Sequence, residues 1–125
     1  MTHLLVAQLR FARTEFQRCF VGVSGEDARK RILPMNCLSW IIGHLANQEN
    51  SYWNILAQGQ NMAPGLNDLV GYGKPVLESV GTLLLRNTYH YWFHTGEAYG
   101  IRQALGHTGL PDFVGNMSDA AYHPE

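Results

Sequence analysis

The apolar positions of this chain fall into three stripes of helical period, separated by breaks rich in glycine and proline. In the first stripe Leu5, Leu9, Ala12, Phe16 and Cys19 or Phe20 recur every three or four residues, while Arg10, Arg13, Glu15, Gln17 and Arg18 lie mostly off it. This predicts a helix capped by Thr2 and stopped by Gly22. Ser24 with Asp27 three residues on has the form of a helix N-terminus, predicting a short turn through Arg31 that ends before Pro34. The second stripe is Cys37, Trp40, Ile41, His44, Leu45, Gln48, Tyr52 and Ile55 or Leu56. It predicts a helix with Asn36 as N-cap that frays near Gln58 and Gly59. The third is Leu83, Asn87, His90, His94, Glu97, Ile101 and Leu105, on one face of a long helix over 81–106. Gly106 suits the residue just past its end, and His107 stands where a cation suits the helix dipole.

Between the second and third stripes, Pro64, Gly65, Gly71, Gly73 and Pro75 punctuate the chain, and only 66–70 suits a helical turn. This stretch reads as a connection and not as a second domain. The tail offers Leu110, Phe113 and Val114 and reads as an irregular segment packed along the helices, extended from 120 onward. The whole is one all-α domain over residues 1–125.

Composition narrows the picture. With 125 residues and 46% hydrophobic content the chain can build one core. Its 15% charged content is low for a small domain, so part of the surface is expected to be covered by a partner, with a homodimer as the natural cover. A net charge of −1 without a basic cluster argues against nucleic acid. The apolar runs are too short for a membrane span, and Arg10 interrupts the N-terminal LLVA run, so neither a membrane segment nor a signal peptide is expected. Cys19 and Cys37 read as small buried groups in a reducing, cytoplasmic setting.

The chemistry is concentrated where the stripes turn polar. Imidazoles and a carboxylate on a core-facing stripe cost desolvation energy unless they have partners. His90 and His94 are one turn apart, the spacing at which two histidines can hold one metal ion. In an antiparallel pairing of the second and last helices, His44 stands ~20 Å from its helix end, against ~15 and ~21 Å for His90 and His94. Three imidazoles at one height leave a ligand position open, as catalytic sites do. The plain alternative is a set of core histidines that hydrogen-bond to one another. The site is not of the HExxH type, since Tyr91 follows His90. Glu97 suits a fourth ligand, an acceptor for an imidazole N–H, a base, or a surface acid near Arg102. Glu49 is a weaker candidate. Arg86 and Arg102 read as solvated charges, and Trp40, Trp53, Tyr89, Trp92 and Phe93 as packing residues.

Trp40-Ile41-Ile42-Gly43-His44-Leu45-Ala46, with Glu49 and Trp53, and His90-Tyr91-Trp92-Phe93-His94-Thr95-Gly96-Glu97, with Ile101-Arg102 and Leu105-Gly106-His107, resemble the DinB-like (DinB/YfiT) superfamily. The resemblance implies a four-helix bundle with a three-histidine divalent-metal site, zinc or nickel, with His44, His90 and His94 at the ligand positions. It also implies an enzyme that transfers a low-molecular-weight thiol of the bacillithiol or mycothiol type, or a hydrolase-like relative, with Glu97 as the catalytic group that moves protons. The competing expectation is a non-catalytic, metal-stabilised helical domain for ligand binding or dimerisation. The chain departs from the family between Ala57 and Thr82, where a full third helix is expected and a Gly- and Pro-rich stretch stands. Either that helix is shortened or missing, or a segment between Gly73 and Glu78 is omitted.

Overall fold

The structure, a computed structural model, describes residues 2–56, 58–59 and 78–124. Among them there is no strand. Helix α1 spans Leu4–Cys19, α2 Gly25–Arg29, α3 Leu38–Glu49 and α4 Val80–Ala104. A π-helical stretch, Asn50–Leu56, continues α3, and a 3₁₀ turn, Ser118–Ala120, lies in the tail. The fold is therefore all-α over the described residues. The expected connection over 60–75, its helical turn at 66–70 and the question of a third bundle helix lie outside them. Among the described residues no helix is long and apolar enough to cross a membrane.

Local chemistry sets the helix ends, with two departures from expectation. α1 is capped by His3 and not Thr2: Nδ1 of His3 accepts the Leu5 N–H at 3.2 Å. α3 has Cys37 and not Asn36 at its cap position, without a side-chain cap bond, and the Asn36 Nδ2 donates to Glu97. Ser24 Oγ accepts the Asp27 N–H and Ser79 Oγ accepts the Thr82 N–H, the ordinary cap bonds of α2 and α4. α2 ends at Arg29, short of the expected Arg31. α4 closes with a Schellman motif: the N–H of Gly106 reaches Gln103 O and that of His107 reaches Arg102 O, both at 3.0 Å. Gly106 takes φ +82°, which a side chain would strain.

α4 packs against both α1 and α3. Leu5 lies beside Gly81, Phe16 beside Tyr91, and Cys19 O beside the Arg102 guanidinium, so α1 and α4 run parallel. Asn36 meets Glu97 and His44 meets His90, so α3 runs antiparallel to α4. Because α4 has two neighbours it buries two stripes. The expected one faces α3. The other, with Thr88, Tyr91, Thr95, Ala98 and Arg102, faces α1 and is made of small or polar residues. The core joins Leu9, Ala12 and Phe16 to Leu38, Ile41, Leu45 and Ile101.

The tail is strapped to α1. Glu15, expected off the buried stripe, is 3% exposed. It is paired with Arg18 at 2.7 Å and accepts the Gly115 N–H at 2.8 Å. These bonds, that to Arg18 first, hold the Glu15 carboxyl below its ordinary range. The Arg18 guanidinium also lies over the Phe113 ring and donates to Asp112 O. Ala120 departs from the expected extended run, for it closes the 3₁₀ turn and its carbonyl accepts from Gln8, whereas Ala121, at φ −60° and ψ 138°, has the extended backbone expected. A Cβ at Gly115 would stand 2.9 Å from Arg18 Nη2 and 3.0 Å from Glu15 Oε1. Gly115→Ala is therefore expected to cost about 1–2 kcal/mol by forcing this pair apart. Hydrogen exchange should show lost protection at residue 115, with α3 unaffected; unchanged protection would contradict the strap.

Candidate metal centre

Three histidines from two helices converge between α3 and α4. Their candidate ligand nitrogens all lie within 4.8 Å of one another. Nε2 of His90 is the middle atom, 3.1 Å from Nε2 of His44 and 2.8 Å from Nε2 of His94. His94 is buried, and His44 and His90 are half-buried. The placement follows from the helices: His90 and His94 share a face one turn apart, and the antiparallel approach of α3 brings His44 to the same height.

The outer contacts orient two rings. The indole of Trp40, one turn before His44, stacks on its imidazole at 4.6 Å and 10°. Glu97 Oε2 lies 3.0 Å from Nδ1 of His94, and the Asn36 amide donates to Glu97 Oε1 at 3.2 Å. A carboxylate only accepts, so Nδ1 of His94 carries the proton and its Nε2 keeps a lone pair. Of the roles open to Glu97 from sequence, this geometry matches the acceptor of an imidazole N–H. Its carboxylate meets the ring on the side away from the Nε2 cluster. Glu49 is committed elsewhere, paired to Arg13 through two bonds of 2.7 Å. Arg102 is not solvated but 6% exposed, and Arg86 is paired with Glu78. Tyr89 and Phe93, expected to pack, are exposed. Cys19 and Cys37 are buried outside the cluster.

Electrostatics favours neutral rings. Burial, reinforced by His94 and then His44, lowers His90 to about 4. Burial and the neighbouring His94 lower His44. Burial lowers His94 as well, although Glu97 opposes it. Neutral rings cannot satisfy the cluster by themselves. Nε2 of His90 has a single in-plane site, an N–H or a lone pair, so it can make a hydrogen bond along only one of its two short contacts, and the other is left unsatisfied. A cation among the three nitrogens removes that conflict. Metal–nitrogen bonds of 2.0–2.1 Å in a tetrahedral arrangement put nitrogens about 3.3 Å apart, close to the two separations here. The residues therefore fit a divalent ion. Nδ1 of His44 and of His90 is buried without a protein partner among the described residues, so only His94 has the orienting acceptor usual for such ligands.

The cluster opens on a cavity of about 690 Å³ lined from both helices. Sequence reasoning missed two members of this neighbourhood. Asn36 reads locally as a cap, and Gln48 reads as one more position on an inner stripe. Tertiary contact decides both. No family model, curated protein or solved structure matches this chain.

Proposed function

We propose that His44, His90 and His94 hold a divalent metal ion, zinc or nickel, and that the protein is a DinB-like enzyme transferring a small thiol to an electrophile. The observation that carries the metal reading is the convergence of three Nε2 atoms on rings that burial keeps neutral. The thiol chemistry comes from the resemblance of the two histidine motifs. Among the described residues no fourth His, Cys, Asp or Glu joins the group, which leaves a position open. When bound, the ion supplies Lewis acidity and favours thiolate over thiol at neutral pH.

The chain's own residues supply orientation. Glu97 fixes the tautomer of His94, Asn36 fixes Glu97, and Trp40 fixes the plane of His44. Glu97 is thus a positioning residue, and Glu97→Ala is expected to weaken metal binding roughly 10–100-fold with the helical content unchanged. Competition against a chromogenic chelator measures this, and an unchanged affinity would remove Glu97 from the site. The function itself is tested by elemental analysis of the untagged protein, then by thiol consumption with an alkylating electrophile. Near-stoichiometric zinc or nickel with metal-dependent consumption is the expected result. No metal after reconstitution would overturn the metal reading, and metal without thiol transfer would leave a metal-stabilised binding module.

A further inference from the structure

The cavity beside the histidines has an ordered lining. His44, Gln48 and Tyr52 line it from α3 and its π-helical continuation, and His90, Arg86 and Thr82 line it from α4. The two helices are antiparallel, so both rows lead away from the histidines in one direction. Each row spans eight residue-to-residue steps of helix, a length of about 12 Å. Leu85 and the exposed rings of Tyr89 and Phe93 add an apolar flank. Arg86 carries the one full charge among the described lining residues, and its Nε and Nη2 both donate to the Glu78 carboxylate. The lining therefore suits an elongated ligand with an uncharged body.

Within this lining Gln48 offers a buried, unpartnered oxygen, the other unpartnered buried atoms of its described residues being Nδ1 of the candidate ligands His44 and His90. It is 4% exposed, and its Oε1 has no hydrogen-bond partner. A buried amide oxygen without a donor destabilises the folded state, so native structures rarely keep one without a use. Gln48 stands one turn beyond His44 on the same face of α3, within reach of a ligand anchored at the histidines.

We infer that Gln48 is a specificity-determining residue: its Oε1 accepts a hydrogen bond from the N–H or O–H of a small, uncharged-bodied ligand. That ligand is anchored at His44, His90 and His94 and lies along Tyr89 and Phe93. The inference rests on the metal reading for its anchor, whereas the part played by Gln48 is separately measurable.

The probes are N-benzyl-2-sulfanylacetamide and its N-methyl analogue, which share a thiol anchor and an aromatic ring and differ in the amide N–H. Binding to the metal-loaded full chain is measured by calorimetry for wild type and Gln48→Met. Wild type is expected to prefer the N–H probe about tenfold, one hydrogen bond's worth of discrimination. In Gln48→Met the preference should fall to within about twofold at equal metal content. The metal-free variant should melt no lower than metal-free wild type, because the group removed has no partner. No preference in wild type, a preference that survives in Gln48→Met, or a lower melting point of the metal-free variant each overturns the assignment. Metal uptake without discrimination removes Gln48 alone. Discrimination without metal keeps Gln48 and rejects the metal, and neither metal nor binding rejects both.

Discussion

Replacing His90 by alanine is expected to abolish the proposed metal binding and the stability that it would confer. Nε2 of His90 is the atom to which both other histidines make their short contacts, so its loss leaves two nitrogens without the third. At a free metal concentration a thousand times Kd, binding stabilises the folded state by about 4 kcal/mol. Loss of that amount lowers Tm by on the order of 15 °C for a chain of this size. The metal-free comparison should go the other way. There the substitution removes a half-buried imidazole whose Nδ1 has no partner and whose Nε2 can serve only one of its two close neighbours. Metal-free His90→Ala should therefore be no less stable than metal-free wild type. Acid sharpens the test. The folded-state pKa of His90, about 4, lies below its ordinary value of 6.5. The unfolded chain then binds more protons between these values. Metal-free stability is thus fully present above about 6.5 and is lost as pH falls toward about 4, and His90→Ala should flatten that slope. Calorimetric scans at pH 7.5 and 5, with metal and with chelator, measure all three effects. Full metal content in the variant would end the three-histidine proposal.

The histidine cluster was legible in the sequence because one short-range rule and one length argument suffice for it. His90 and His94 share a face by period alone, and antiparallel helices of known rise bring His44 level with them. What escaped sequence reading depends on contacts that no local rule encodes. The second buried stripe of α4 has little apolar signal, since Thr88, Thr95 and Arg102 are polar and Ala98 is small. Small residues are what let α1 approach, and Cys19, Ala12 and Ala98 are fully buried there. Asn36 is a good cap by propensity, yet its amide serves Glu97, and the cap position falls to Cys37. Glu15 sits one residue off the stripe of α1, and only the returning tail buries it. The change from α to π hydrogen bonding at Asn50–Leu56 likewise has no periodic signature.

Arg102 is the case where this gap has the largest consequence for stability. It read as a surface charge, and it is instead a clamp on three elements. Its Nη1 donates to Cys19 O at 2.6 Å, tying the end of α1 to α4. Its Nε donates to Nδ1 of His107 at 3.0 Å, across the Schellman turn. An accepting Nδ1 leaves the His107 proton on Nε2, which faces Asp27 Oδ2 of α2 at 3.2 Å. The chain of contacts thus runs from α1 through α4 and the turn to α2. Arg102→Met keeps most of the apolar stem but leaves Cys19 O and Nδ1 of His107 without their donor. Losing one partner of a buried, charge-assisted network costs about 3 kcal/mol, a fall in Tm on the order of 10 °C. His107→Gln removes only the outer arm and should cost less, about 1 kcal/mol. The histidine cluster lies farther toward the N-terminus of α4, so metal affinity at a temperature where both variants are folded should be unchanged. Urea denaturation of the two variants, each with and without metal, separates these effects. Equal and small losses in both would show that the clamp is dispensable, and a coupled loss of metal would place it in the support of the site.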